Sequence, residues 1–191
     1  MNPILKNTLI LFLITLIAGG LLAGAYAVTS GPIARAEAEA EQKALSEVCP
    51  DAARFEDSDT SFENHDRLTY GTLRKALDGN GALIGYAVNV TTSAGYGGDI
   101  QIMIGADLQG KVIGIRILSA SNESPGLGAN CLNADFQAQF AGKTPGLTYS
   151  KTGAEGNEID AISGATITTK AVTEAVNDAI LQIVALGGDL K

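Results

Sequence analysis

The sequence predicts an α+β protein: one long amino-terminal helix, a single domain built on a mostly antiparallel sheet, and a carboxy-terminal helix packed on it. Three observations carry that prediction. Residues 8–28 are almost entirely apolar and contain no charged side chain. Four short runs between residues 70 and 119 read as strands and are separated by segments containing Asp, Asn and Gly. Beyond Thr169, apolar residues recur at three- and four-residue steps, the period of a helix buried on one face.

The first element is expected to be a membrane anchor over residues 1–33. No charge occurs between Lys6 and Arg35, and about 20 apolar residues at 1.5 Å each span a hydrocarbon core of ~30 Å. A signal peptide is the competing reading, because Ala25, Tyr26 and Ala27 resemble a cleavage site. The block is long for one. Gly19, Gly20 and Gly24 put small residues on one face, a pattern that can pack against a neighbouring membrane helix. Lys6 precedes the block and Glu37, Glu39 and Glu41 follow it, so the positive-inside rule puts the bulk of the chain outside the cytoplasm.

Residues 34–50 read as a helical extension, rich in Ala and Glu and ended by Cys49 and Pro50. The remaining domain, residues 51–191, opens with an acidic irregular stretch that reads as a surface loop. His65, the only histidine, lies there among Glu63, Asn64, Asp66 and Arg67 and is expected to be a solvated loop residue. Strands are expected at 70–77, 82–92, 100–105 and 111–119, the first pair joined by Asp78, Gly79, Asn80 and Gly81. Gly79, Gly81 and Gly85 miss the spacing of a dinucleotide fingerprint. Residues 105–111 match a P-loop only as far as Lys111, since Val112 stands where Ser or Thr is required; both read as turns.

A net charge of -8 without clustered Lys and Arg argues against nucleic acid as a partner. Cys49 and Cys131 are the only cysteines. Without a CxxC pair or nearby histidines, no zinc or iron-sulfur site is expected from this chain alone. The two could form a disulfide or remain buried thiols.

The candidate site is the 160–169 segment: Asp160, Ala161, Ile162, Ser163, Gly164, Ala165, Thr166, Ile167, Thr168, Thr169. It runs into the helix whose expected apolar face is Val172, Ala175, Val176, Ala179, Ile180, Ile183 and Val184, opposite Lys170, Glu174 and Asp178. Ser163 is the expected N-cap and Thr166 falls in the first turn, among unpaired N–H groups at the positive end of a helix dipole. That end favours a phosphate. Two glycine-rich loops accompany it: Gly95, Tyr96, Gly97, Gly98 between two strands, and Ser124, Pro125, Gly126, Leu127, Gly128 after Glu123, ahead of a short helix expected near residues 133–140. Either loop alone could be an ordinary surface turn.

Together these motifs resemble the FMN-binding domain shared by the G subunit of the Rnf electron-transport complex and the C subunit of the sodium-pumping NADH:quinone oxidoreductase. The chain's length is closer to the Rnf protein. Asn130 and Cys131 depart from the family pattern and leave open whether Cys131 lies near the flavin or pairs with Cys49.

The resemblance implies FMN attached through its phosphate to Thr166 as a phosphoester, with Asp160, Ser163, Gly164, Ala165, Gly95, Tyr96, Gly97, Glu123, Leu127 and Gly128 forming the cofactor site and no residue catalytic. A threonine hydroxyl is too weakly acidic to attack phosphorus unaided, so attachment requires a separate flavin transferase using FAD and a metal ion. Asp160 has two readings, an aid to that enzyme and a turn former.

The implied role is an electron-transfer flavoprotein subunit of an ion-translocating ferredoxin:NAD oxidoreductase, a translocase in which this chain holds no complete active site. Its implied partners are the A, D and E membrane subunits, the B and C cytoplasmic subunits, and membrane lipid; the implied location is a bacterial inner membrane, single-pass, with the domain on the periplasmic side. The alternatives are a C-type subunit of the quinone reductase, an FMN-binding sensor or accessory module, and a pilin-like structural protein. The last lacks an acidic residue near the start of its apolar block and leaves the glycine motifs unexplained.

Overall fold

A computed structural model describes residues 2–189. Its order is α1 (Pro3–Val48), β1 (Arg54–Asp57), β2 (Leu68–Leu77), β3 (Leu83–Thr92), β4 (Ile100–Asp107), β5 (Val112–Ser119), a 3-10 turn (Gly128–Leu132), α2 (Ala134–Ala138), β6 (Thr148–Ser150), β7 (Glu158–Asp160) and α3 (Thr166–Asp189). The chain divides into two compact units, one up to Ala40 and one from Glu41 onward.

The first unit is the amino-terminal part of α1. It has the length and apolarity to cross a membrane, with a mean hydropathy of 2.3 in its richest window and none of that window buried within the chain. Leu, Ile and Ala supply helix propensity and apolar surface together. Thr8, Thr15 and Thr29 return their hydroxyls to carbonyls three or four residues earlier, so no polar group of theirs is left open on that surface.

The second unit is built on a five-stranded antiparallel meander in the order β1-β2-β3-β4-β5. Two aspartates build its tight turns by the same chemistry. Asp78 Oδ1 accepts the N–H groups of Asn80 and Ala82, both at 2.8 Å, and Asp107 Oδ1 accepts those of Gln109 and Lys111, both at 2.9 Å.

Both faces of the sheet are covered, which is why β4 is buried along almost its whole length. Val88, Val90, Ile102, Ile104 and Ile117 face α3. Ala76, Ala87 and Met103 face Ala44, Leu45, Val48 and Cys49, the last turns of α1 and the residue after it. Gly105 and Gly114 are paired across β4 and β5. Their missing side chains admit the backbone at Val48, whose carbonyl oxygen a methyl at Gly105 would overlap.

The four expected strands fall within two residues of their sequence positions at every boundary; β2 begins at Leu68 and β4 continues to Asp107. The stretch read as a surface loop contributes one strand more, since β1 pairs Arg54 to Asp57 with the far end of β2. The helix expected at 133–140 is shorter, a 3-10 turn followed by α2. On α3, Val172, Ala175, Val176, Ala179, Ile180 and Ile183 are fully buried, each Val or Ile contributing ~1.5–3 kcal/mol. Val184 is the exception at 38% exposed.

The two cysteines belong to different cores. Cys49 lies in the cluster under the end of α1 and Cys131 in the one under α3, and both are free thiols. The disulfide alternative is therefore excluded in this fold. Burial, helped by Asp51, pushes the Cys49 thiol up to about 12, and burial, helped by Glu123, pushes that of Cys131 up to about 11.

Candidate functional site

Glu123 is the residue on which the site is assembled. It follows β5 in a turn closed by its own N–H to the Ala120 carbonyl, 3.1 Å, and its side chain points inward, leaving the residue 5% exposed. Oε1 accepts the N–H of Gly97 at 3.0 Å and Oε2 accepts the hydroxyl of Thr168 at 2.6 Å. One carboxylate thereby joins the 95–98 loop, the 124–128 loop and the first turn of α3. The glycines around it allow this closeness. A methyl at Gly128 would overlap Glu123 Oε2, and one at Gly97 would overlap the Asn122 carbonyl.

The 124–128 loop is a compact turn. Leu127 and Ala129 both donate their N–H to the Ser124 carbonyl at 3.1 Å, and Asn130 Nδ2 donates to the Gly126 carbonyl at 2.9 Å. Asn130 thus fastens this loop. Cys131 is fully buried behind it, close enough to Glu123 to feel its charge.

Ahead of α3, Ser163 and Gly164 occupy a turn closed by the Ala165 N–H to the Ile162 carbonyl at 2.9 Å. Gly164 has φ +74°, a conformation that side-chain-bearing residues rarely adopt. The helix starts at Thr166, which corrects the N-cap expectation: Ser163 lies three residues before the helix and is exposed. Thr169 performs the local fastening instead. Its Oγ1 accepts the Ile162 N–H at 3.0 Å and donates to the Ala165 carbonyl at 3.1 Å. A hydroxyl inside the helix competes with a serine outside it, and the sequence does not rank the two.

These elements enclose a cavity of about 400 Å³ lined by Tyr96, Glu123, Ser124, Leu127, Gly128, Gly164, Ala165, Thr166, Ile167 and Thr168. Its walls divide chemically. Tyr96, Leu127 and Ile167 are 69%, 45% and 53% exposed and together form an apolar rim at one site. Ser124, Thr166 and Thr168 bring hydroxyls, and the first amides of α3, ahead of the Thr169 N–H bond to Ala165, have no intrahelical acceptor. Volume and lining suit a ligand with a planar apolar part and an anionic tail, which FMN has.

Of the residues singled out in the sequence, Tyr96, Glu123, Leu127, Gly128, Gly164, Ala165 and Thr166 line this cavity. Gly95 and Gly97 form the loop behind Tyr96, and a methyl at Gly95 would overlap the Gly98 carbonyl. Asp160 is not in the lining. Its Oδ1 accepts the Ala154 N–H at 2.6 Å and its own N–H donates to Gln139 Oε1 at 2.7 Å, so its groups order the loop after β6. Ile167 and Thr168 line the cavity although the resemblance assigns them no role. Their signal is position alone, since both follow Thr166 directly in the first turn of the helix.

A second, more polar cavity of about 570 Å³ lies where residues 65–68 meet α3. His65, expected to be merely solvated, places Nε2 3.2 Å from Asp178 Oδ1, and the Tyr70 hydroxyl donates to Asp178 Oδ2. The His65 and Tyr70 rings stack with centroids 6.0 Å apart. The Glu63 carbonyl and the Asp178 carboxylate hold the His65 imidazole above its ordinary value. Burial would raise Asp178, but hydrogen bonds from Tyr70 and Gln182 and the nearness of His65 outweigh it and hold the carboxyl below the usual range.

Comparison with known proteins adds to this geometry. The FMN-binding domain family matches residues 95–181, the span from the Tyr96 loop through the buried face of α3, and the RnfG N-terminal region family matches residues 1–48. The chain is 37% identical to the G subunit of the Na(+)-translocating ferredoxin:NAD(+) oxidoreductase complex of Acetobacterium woodii, covering 93% of this chain and 90% of that one. It is 34% identical to the G subunit of the proton-translocating ferredoxin:NAD(+) oxidoreductase complex of Clostridium ljungdahlii, covering 98% and 95%. The G subunit of the ion-translocating oxidoreductase complex of Methanosarcina acetivorans is 33% identical, covering 94% of each. In fold, the crystal structure of Shewanella oneidensis NqrC superposes with a TM-score of 0.54 at 16% identity, over 74% of each chain.

Proposed function

This chain belongs to the family of G subunits of ion-translocating oxidoreductase complexes, and we propose from that premise that it carries FMN covalently on Thr166 and relays electrons between partner redox centres. The observation that carries the reading is the position of Thr166: the first residue of α3, in the wall of a cavity whose rim is apolar and whose floor holds unpaired helix amides. The helix start receives the phosphate, and Tyr96, Leu127 and Ile167 cover the ring system.

FMN supplies the redox chemistry when bound; the chain supplies attachment and position. Thr166 serves as an acceptor and not as an autonomous nucleophile. The carboxylates nearest in sequence and space to this helix start are engaged, Asp160 with Ala154 and Glu123 with Gly97 and Thr168. A separate flavin transferase, using FAD and a metal ion, is the activity that completes the site. Ser163 and Gly164, exposed ahead of the helix, leave that enzyme access to the hydroxyl.

The amino-terminal helix anchors the protein in the membrane. The charge asymmetry around the helix supports an extracytoplasmic domain at a bacterial inner membrane. There a phosphoester tether retains a flavin that would otherwise diffuse away. The partners in this reading are the other members of an Rnf-type complex, the A, D and E membrane subunits and the B and C cytoplasmic subunits, which hold the sites for ferredoxin and NAD. Thirty-odd per cent identity over nearly the whole chain to G subunits favours this role over a quinone-reductase C subunit, to which the likeness is one of fold.

Flavin fluorescence on a denaturing gel tests the proposal. The chain produced with its transferase is expected to show a fluorescent band that Thr166→Ala abolishes; a band that persists in Thr166→Ala overturns it.

A further inference from the structure

We infer that the buried carboxylate of Glu123 is a potential-setting group, holding a flavin in this cavity at a lower reduction potential than a neutral side chain would. The inference rests on the flavin reading above. Its starting point is an anomaly of charge. Glu123 is 5% exposed, both its oxygens accept hydrogen bonds from neutral donors, and it takes part in none of the ion pairs among the described residues. The cavity lining contains no Lys, Arg or His. Buried carboxylates are ordinarily paired with a cation, because hydrogen bonds alone return only part of the lost hydration.

The clamp that Glu123 forms does not need a charge. A glutamine has the same shape, could accept the Gly97 N–H with its carbonyl and could donate to Thr168 Oγ1 with its amide. What glutamine lacks is the field. A negative charge in a water-poor wall raises the free energy of any neighbouring group that gains an electron, and it does so more strongly than at a surface because screening is weak. The opposing positive element is the dipole of α3, concentrated at the helix start where Thr166 stands. The field of Glu123 already reaches beyond the cavity: together with burial, it raises the thiol of Cys131 behind the loop.

Glu123 is thus a positioning residue for the loops and, separately, an electrostatic one for the flavin. A redox titration of the full-length, flavin-loaded chain in detergent, followed by flavin absorbance, separates the two roles. Wild type is compared with Glu123→Gln, which removes the charge, and Thr168→Val, which removes a hydrogen bond and keeps the charge. Glu123→Gln is expected to favour electron uptake at least tenfold, a positive shift of ~30 mV for a two-electron couple or ~59 mV for a one-electron couple. Thr168→Val is expected to shift it by less than about threefold. An unchanged midpoint in a fully loaded Glu123→Gln overturns the inference. Failure of that variant to load overturns it too, because the charge would then serve attachment. A wild-type chain without flavin overturns the flavin reading itself, and is seen before any titration begins.

Discussion

The Thr168 hydroxyl donates to Glu123 Oε2 at 2.6 Å, across 45 residues of sequence, and both groups are buried. Through this bond the helix that begins at Thr166 is held against the loop that carries Leu127. Thr168→Val leaves a buried carboxylate with one hydrogen bond fewer, and the expected loss is ~1.5–3 kcal/mol of stability. Denaturant unfolding of the detergent-solubilised chain measures it, and a loss well below that range would mean that the bond is not formed.

Gly128 and Gly126 make a contrasting pair in the same loop. A methyl at Gly128 overlaps Glu123 and crowds Thr168, so Gly128→Ala is expected to cost ~1–3 kcal/mol and to lower flavin loading. Gly126 has open space around its Cα but φ +76°, so Gly126→Ala is expected to cost only ~1 kcal/mol, from backbone strain alone. Parallel unfolding and flavin-absorbance measurements on the two variants check the order.

The His65–Asp178 pair makes stability depend on pH in a defined direction. The folded imidazole titrates above its ordinary value, so its contribution is complete below pH ~6.5 and is lost as pH rises through the folded value. Asp178 titrates below its ordinary value, so its contribution is present above that value and is lost as pH falls through the folded one. His65 is largely open to solvent, and the effect should be small and reduced by salt. His65→Gln is expected to remove the fall in stability between mildly acidic and mildly alkaline pH; an unaltered pH profile would show that the pair does not form.

Both thiols are expected to resist alkylation in the folded chain. They are buried, and with values pushed up to about 12 and about 11 they carry almost no thiolate at neutral pH. Iodoacetamide should modify neither in the native protein and both after denaturation, as read by intact mass. A denatured chain that labels only after reduction would indicate a disulfide.

Much of this molecule is legible from local pattern. The apolar block, the Asp-closed hairpins and the three- and four-residue spacing on α3 each reflect interactions within a short stretch, and they identify the elements of the α+β fold. The cavity is partly legible, since Tyr96, Leu127 and Thr166 belong to recognisable motifs. What was hidden depends on distant contacts. Nothing around His65 announces Asp178, because the pair forms only when the loop before β2 folds over α3. The Gly105–Gly114 notch, likewise, has meaning only once Val48 arrives from another part of the chain. The helix begins beyond Ser163 for a local reason: a turn containing Gly164 intervenes and moves its first residue to Thr166.

Everything proposed for the flavin depends on a phosphoester between FMN and Thr166. Peptide mapping by mass spectrometry of the chain, co-produced with a flavin transferase, is the direct test. One peptide spanning residues 160–169 is expected to carry the mass of an FMN phosphoester localised to Thr166. Unmodified peptide with FMN released on denaturation, or an adduct on Ser163, would contradict it.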